Sequence, residues 1–220
     1  MKKISLLLVI FAIISVSLFA QTEKNPEIKP VSGDIEALQI ANTLARYGYT
    51  AKSPSALIGA AEILVRIKTQ AIGDPKERSQ TATATTPEFT PANLLADARK
   101  MAGRDRTMTA WADDVDKLLK AGTRGAAGGP KVGRDIAPPG GTVTFTVVFR
   151  ANELAEVLLV GDGSTILDIF IYDPNGNLVV YTDVSTYDAY LNWVPRVTGS
   201  FDIVVKNWGN RSNRFQINTN

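Results

Sequence analysis

The stretch TVTFTVVFR, residues 142–150, alternates apolar and hydroxyl side chains and decides the fold class of the second half of this chain. Its odd-numbered positions place valine and phenylalanine on one face of an extended strand, and threonines occupy the opposite face. Six further strand candidates follow at short, even spacing, namely 154–160, 166–172, 177–182, 188–194, 200–206 and 213–218. Because no helical pattern separates them, the sequence predicts an all-β sandwich or jelly roll of about seven to eight strands over 142–220.

Residues 34–121 follow a different period, in which apolar side chains recur every three to four positions, as on amphipathic helices. Four such segments predict four helices in two antiparallel pairs. A polar stretch rich in threonine and alanine, residues 73–90, predicts a mobile connector between the pairs. Glycine and proline dominate residues 122–141, which predicts a linker to the sandwich. The expected fold class is therefore α+β in two domains.

The first twenty residues have the layout of a secretory signal peptide, with Lys2 and Lys3, an apolar run and small residues near Ala20. The run is short for a membrane-spanning helix, so we expect cleavage after Ala20 and an N-terminal tail at 21–33. Cleavage after Ser17 and an uncleaved membrane anchor are the alternatives. No later segment is apolar enough to span a membrane. The sequence thus predicts an exported bacterial protein, periplasmic or extracellular.

Composition restricts the chemistry available to the chain. Histidine and cysteine are both absent, which removes histidine-based triads, histidine-ligated zinc, disulfides and a cysteine-linked lipid anchor. Lys and Arg number 24 and Asp and Glu number 22, so loss of Lys2 and Lys3 leaves a balanced mature chain. Without a basic stripe, nucleic acid is not an expected partner. We predict that the protein is not an enzyme.

The stretch VLLVGDGSTILDIFIYDPNGNLVVYTD, residues 157–183, concentrates aspartate and glycine between apolar runs. Asn175 and Gly176 between two strand candidates indicate a tight hairpin. Asp168 lies inside a strand, where a carboxylate must face water or find a partner. Asp162, Ser164 and Asp168 are candidate ligands of Ca²⁺, which prefers oxygen donors. Turns and surface positions are the alternative for these residues.

Two longer runs resemble the bacterial pre-peptidase C-terminal domain, namely VLLVGDGSTILDIFIYDPNGNLV and WVPRVTGSFDIVVKNWGNRSNRFQINTN. Members of that family pair a G-D-x-D-L-type strand with a later P-x-x-x-G-x-[YF]-x-[IVL]-x-V strand and end in a strand bearing tyrosine or phenylalanine. The matching positions here are Gly161, Asp162, Leu167, Asp168, Pro195, Gly199, Phe201, Ile203, Val205 and Phe215. The resemblance covers about 138–220 and implies a β-sandwich attached to an exported protein. Residues 163–166 separate the two aspartates, and helices precede the sandwich, so the family's association with proteolysis does not transfer.

Aromatic residues cluster in the C-terminal half and suggest a second kind of site. Tyr190, Trp193 and Trp208 are the candidate ligand-binding residues, because exposed aromatic rings on a sandwich stack on sugars. Core packing is the alternative for Trp193.

These patterns together predict a non-catalytic exported protein. Its sandwich is expected to act as an accessory binding module, stabilised by calcium if the aspartates bind it. Its helices are expected to bind a protein or cell-envelope partner. The alternatives are a structural envelope component without a ligand, a carbohydrate-binding protein and a carboxylate-dependent hydrolase. The sequence does not indicate an oligomeric state.

Overall fold

The computed structural model describes residues 32–122, 128–182 and 188–220 of the 220-residue chain. The predicted signal peptide, residues 21–31 of the predicted tail and residues 123–127 of the predicted linker lie outside the described residues. Within the described ranges, four helices lie in the N-terminal half and two packed sheets are formed mainly by the C-terminal half, which confirms the predicted α+β fold class. None of the described helices is long and apolar enough to cross a bilayer.

The helices are α1 (Gly33–Ala51), α2 (Pro54–Arg66), α3 (Pro91–Ala102) and α4 (Arg106–Gly122). Ser53 caps α2, since its hydroxyl accepts a hydrogen bond from the Ala56 N–H, and Thr90 caps α3 in the same way. Helix α2 packs against the other three helices. Its buried small residues, Ala60 and Ala61, let the neighbouring helices approach closely.

The strands are β1 (Gln70–Ala71), β2 (Glu77–Arg78), β3 (Lys131–Ala137), β4 (Thr142–Phe149), β5 (Ala155–Gly161), β6 (Leu167–Tyr172), β7 (Leu178–Tyr181), β8 (Asp188–Trp193), β9 (Gly199–Asn207) and β10 (Asn213–Thr219). Sheet A has the order β1-β3-β10-β5-β8, and sheet B has the order β2-β4-β9-β6-β7. All seven strands predicted from the alternating pattern are present. The apolar core between the sheets includes Phe145, Phe149, Phe201 and Phe215.

Residues 131–137 form β3, which corrects their assignment to the linker 122–141. In sheet A, Gly133 of β3 lies opposite Ile217 of β10. A Cβ atom at Gly133 would lie 2.8 Å from Phe145 Cε1 and 3.1 Å from Ile217 Cγ1, so the position faces a filled core. Because this inward position holds a glycine and not an apolar side chain, β3 lacks the alternating pattern from which the other strands were predicted.

The predicted connector, residues 73–90, is anchored to the sandwich. Strand β1 lies just before it and adds to the edge of sheet A, while β2 lies within it and adds to the edge of sheet B. The Arg78 guanidinium of β2 pairs with Asp135 of β3 at 2.8 Å, across the gap between the two sheets. Polar contacts thus hold this segment against the sandwich. Its packing could not be predicted from hydropathy, because the segment carries little apolar surface.

Side chains of the sandwich also hold the later part of this connector. The Thr86 hydroxyl donates to Asp162 Oδ2 at 2.5 Å, and the Arg214 Nε–H donates to the Thr86 carbonyl at 3.0 Å. Nearby, Arg134 Nε lies 3.3 Å from Glu88 Oε1. The chain therefore enters α3 from a fixed position over sheet A.

The helical domain packs on the outer face of sheet A. Ile35 and Leu38 of α1 form a buried apolar cluster with Leu158 and Val160 of β5. Every residue of β5 is buried, because one of its faces contacts the sandwich core and the other contacts the helices. The two domains therefore share an apolar interface.

Polar contacts border that interface at two places. Arg46 of α1 forms a two-pronged ion pair with Asp188 of β8, with Nη1 at 2.5 Å from Oδ1. The side chain of Glu156, only 1% exposed, accepts hydrogen bonds from the Tyr190 hydroxyl at 2.6 Å and from the Ser32 N–H at 3.0 Å. These bonds satisfy the buried carboxylate and tie the start of α1 to sheet A.

Candidate functional site

The outer face of sheet B carries aromatic and charged side chains toward solvent. Strand β6 alternates strictly, with Leu167, Ile169 and Ile171 buried and the residues between them facing outward. Strand β9 alternates in the same way. We call the outward-facing group of β6, β7 and β9, together with the residue that follows β9, the aromatic face; it comprises Asp168, Phe170, Tyr172, Tyr181, Asp202, Val204, Lys206 and Trp208.

An apolar row crosses the middle of the aromatic face. Val204 of β9 lies opposite Phe170 of β6, which in turn lies opposite Tyr181 of β7. The rings of Phe170 and Tyr181 are stacked, with centroids 5.8 Å apart and planes within 6° of parallel. Tyr181 is 51% exposed. A stacked pair with this much ring surface in water offers a ready contact for a ligand.

Trp208 is 60% exposed, yet its indole ring is held in place. The indole N–H donates to Asp168 Oδ2 at 2.6 Å, and the Thr182 hydroxyl donates to Asp168 Oδ1 at 3.1 Å. On the face of the ring, the Lys206 ammonium lies 5.0 Å from the centroid. The ring therefore has a hydrogen bond at its edge and a cation on its face.

The backbone that carries Trp208 is fixed as well. Asn207 is fully buried, and its side-chain amide donates to the carbonyls of Ala137 and Arg211 at 3.1 and 2.7 Å. Its side-chain oxygen accepts the Gly209 N–H at 2.9 Å. These three bonds set the turn between β9 and β10, so Trp208 projects from a rigid loop.

Opposite charges are balanced on the aromatic face. Lys76 donates to Asp202 Oδ2 at 2.7 Å, and the Thr146 hydroxyl donates to Oδ1 at 2.6 Å. Burial raises the pKa of Asp202, but these two hydrogen bonds outweigh it and hold the pKa below its usual value. Lys206 lies opposite Asp168 in the strand register. Two lysines thus face two aspartates.

The structure brings together two of the three predicted calcium ligands, Asp162 and Ser164, and gives Asp168 different partners. Asp162 accepts hydrogen bonds from Thr86, from the Ser164 N–H and from the Arg214 N–H, whereas Asp168 accepts from Trp208 and Thr182. Ser164 donates its own hydroxyl to the Ser212 carbonyl. In the described part of the chain, no three acidic side chains lie close enough to hold a metal ion. Calcium binding by these residues stays a prediction from the sequence.

The predicted aromatic ligand set is also divided, and two of its members need correction. Trp193 is 5% exposed and packs edge-on against Phe149 in the sandwich core, with ring centroids 4.9 Å apart, so its ring is closed to a ligand. Tyr190 packs at the interface with α1, where burial and the hydrogen bond to Glu156 raise its pKa to about 12. Trp208 alone of the three is strongly exposed.

Phe170 and Tyr181 are not among the three predicted ligand-binding residues, although Tyr181 belongs to the C-terminal cluster of aromatic residues. The signal was present, since both occupy outward positions of strands whose alternate residues are aliphatic. Aromatic side chains on a strand usually indicate the core, and here the register between β6 and β7 places both rings on the solvent side.

A small cavity of about 30 Å³ lies between α1, the end of the connector and the outer face of sheet A. Small-molecule sites usually occupy roughly 300–1,000 Å³. Arg134, Arg214 and Glu88 line the cavity, and their contacts hold the connector. The arrangement serves the fold and offers little room for a substrate.

No family model matches the chain, and no curated protein matches it either. Among solved structures, the pre-peptidase C-terminal domain of a collagenase from Bacillus anthracis is 10% identical, covers 40% of this chain and 87% of its own, and gives a TM-score of 0.36. The Aeromonas hydrophila periplasmic inhibitor of g-type lysozyme is 11% identical, with 41% and 83% covered and a TM-score of 0.33. The Yersinia pseudotuberculosis-derived mitogen is 11% identical, with 42% and 86% covered and a TM-score of 0.32. These likenesses concern the fold of the sandwich alone.

Proposed function

We propose that the chain is a non-catalytic, exported binding protein whose recognition surface is the aromatic face. The observation that carries this proposal is Trp208, an exposed indole held both at its ring and through its backbone, on the same sheet face as the stacked pair of Phe170 and exposed Tyr181. Ordering an exposed side chain costs conformational entropy, and exposed rings bury little apolar area in return. A partner that covers these rings buries their apolar surface and so stabilises the arrangement. Tryptophan and tyrosine are among the residues most enriched in the hot spots of binding interfaces.

The two sheets differ in a way that supports this assignment. The helical domain covers the outer face of sheet A, so that surface is committed to the fold. Helix α1 contacts β5 and β10 of the sandwich, and both strands belong to sheet A. The outer face of sheet B is left to solvent and carries the exposed rings.

The helical half has a different role in this proposal. Its apolar side toward the sandwich supports sheet A and makes the sandwich rigid. The partner-binding role predicted for the helices stays a prediction from the sequence, and this proposal assigns no partner to the opposite side of α1, where Ile40 and Tyr47 are 51% and 60% exposed. A purely structural envelope component is the alternative, and it predicts no partner for either surface.

Co-sedimentation with isolated bacterial cell envelopes tests the proposal, using the chain that begins at Gln21. Trp208→Ala and Tyr181→Ala are expected to weaken envelope binding at least about tenfold, the size of a hot-spot loss. Tyr47→Ala is the matched control, because Tyr47 is exposed to the same degree as Trp208 but lies on the helical half. Equal losses in all three variants, or a wild-type chain that does not sediment with envelopes, would contradict the proposal.

A further inference from the structure

Polar groups border the apolar row of the aromatic face on both sides. Asp168 and Lys206 lie opposite each other on the side nearer Trp208, and Tyr172 and Asp202 lie opposite each other on the other side. A ligand that fits must therefore alternate apolar patches with hydrogen-bonding groups at close intervals. Pyranose rings do so, because their C–H faces are attracted to the negative faces of aromatic rings while their hydroxyls lie at the rim. We infer that the aromatic face binds a neutral polysaccharide chain, an inference that rests on the proposed binding function.

The dimensions of the row agree with a chain of linked sugars. Adjacent strands lie about 4.8 Å apart, so the row from Val204 through Phe170 to Tyr181 extends roughly 10 Å across three strands. Trp208 adds a further ring next to the adjacent register pair, Asp168 and Lys206. The surface is open and shallow, which suits a polymer lying across it and gives a single sugar too few contacts.

The charges of the aromatic face argue against charged partners. Lys206 lies opposite Asp168, and Lys76 from outside the aromatic face pairs with Asp202, so each acidic side chain of the face has a basic neighbour. Each of the four is engaged, since Lys206 also donates to the Gly140 carbonyl. A nucleic acid or an anionic membrane binds where basic residues accumulate, and that condition is not met here. A neutral polymer meets no repulsion at this surface.

The first test is titration with neutral hexasaccharides, namely cellohexaose, chitohexaose and xylohexaose, followed by ¹⁹F NMR of 5-fluorotryptophan-labelled protein. The chain contains three tryptophans. We expect the Trp208 resonance to shift with at least one hexasaccharide while that of buried Trp193 stays in place. Trp208→Phe is expected to keep most of the affinity, and Trp208→Ala is expected to lose at least about tenfold.

The second test separates this inference from the proposed function. Envelopes are treated either with mild periodate, which oxidises sugars, or with proteinase K, and binding is measured again. Binding that is lost after periodate and kept after proteinase K supports a saccharide ligand, whichever hexasaccharide binds. Binding that survives periodate, is lost after proteinase K and is accompanied by no shift of the Trp208 resonance overturns the inference and leaves a protein partner. Absence of binding to untreated envelopes overturns the proposed function itself.

Discussion

Asp168 shows how a carboxylate inside a strand is accommodated at the residue scale. Its two neighbours in β6, Leu167 and Ile169, face the core, so its own side chain is directed outward. There it accepts one hydrogen bond from the Trp208 indole and one from the Thr182 hydroxyl. The sequence indicates that this carboxylate needs a partner, and in the structure an indole N–H and a hydroxyl donate to it.

Replacing Asp168 by alanine is expected to free the Trp208 ring while leaving the fold intact. The indole lies at the surface and finds water, but the Thr182 hydroxyl, 4% exposed, loses its acceptor, so the free energy of unfolding should fall by about 1–3 kcal/mol. In the ¹⁹F spectrum of fluorotryptophan-labelled protein, the Trp208 resonance should move toward the shift of free fluorotryptophan, and the other two should not. Asp114→Ala, which removes an exposed carboxylate on α4, is the control. A Trp208 resonance unchanged by Asp168→Ala would show that this hydrogen bond does not position the ring.

The raised pKa of Tyr190 predicts that the folded chain loses stability at alkaline pH. Its pKa in the folded chain is about 12, above the ordinary value of 10.0, because burial and Glu156 favour the protonated phenol. A raised folded-state pKa means that the stabilisation is complete below pH 10 and is lost as the pH rises toward 12. Chemical denaturation should therefore show wild type more stable than Tyr190→Phe below pH 10, with the difference shrinking up to pH 12. A difference that stays constant over this range would contradict the assignment.

At the element scale, the strands differ in how clearly their sequences reveal them. Strands β4, β6 and β9 alternate apolar and polar residues because one face of each meets the core and the other meets solvent. Strand β3 shows no such pattern, since a glycine occupies an inward position. Strands β1 and β2 are two residues long and exposed, and they exist because neighbouring strands offer unpaired backbone groups. Tertiary pairing of that kind leaves no trace in local periodicity.

Gly133 allows a direct test of the packing of β3. The Cβ atom of Gly133→Ala would lie 2.8 Å from Phe145 Cε1, so we expect overpacking to cost about 1–3 kcal/mol. Gly33→Ala is the matched control, because no heavy atom lies within 4 Å of its new Cβ, and it should change stability by no more than about 0.5 kcal/mol. Denaturant unfolding measures both, and equal effects would contradict the placement of β3 against the core.

The candidate site was predictable only in part. Trp208 could be chosen from the sequence because it follows a strand and precedes a glycine in a turn. Core packing was already the alternative for Trp193, whereas the burial of Tyr190 could not be predicted, since the sequence does not say that the helices cover the outer face of sheet A. Phe170 and Tyr181 become a stacked pair only through the register of β6 and β7, which depends on the loop between them.

At the scale of the whole molecule, the helices and the sandwich form one structure with a covered sheet and an open sheet. Ile35 and Leu38 bury apolar surface against Leu158 and Val160, surface that an isolated sandwich would expose. We therefore expect the full chain to unfold in a single cooperative transition.

Arg46→Ala tests this coupling between the domains. The ion pair with Asp188 is largely shielded, with side-chain exposures of 23% and 17%, so its loss should cost about 1–3 kcal/mol. Arg66→Ala removes an exposed pair with Glu62 within α2 and should cost about 0.5 kcal/mol or less. Calorimetry distinguishes the two variants, and an Arg46 variant as stable as the Arg66 variant would show that the ion pair does not hold the domains together.

In the proposed function, the open face of sheet B, and not the helical half, contacts the partner. Hydroxyl-radical footprinting of the chain bound to cell envelopes, compared with the free chain, tests it most directly. We expect strong protection of Trp208 and Tyr181 on binding and unchanged oxidation of Tyr47, whose exposure in the free chain equals that of Trp208. Protection of Tyr47 with unchanged oxidation of Trp208 and Tyr181 would contradict it and assign binding to the helices.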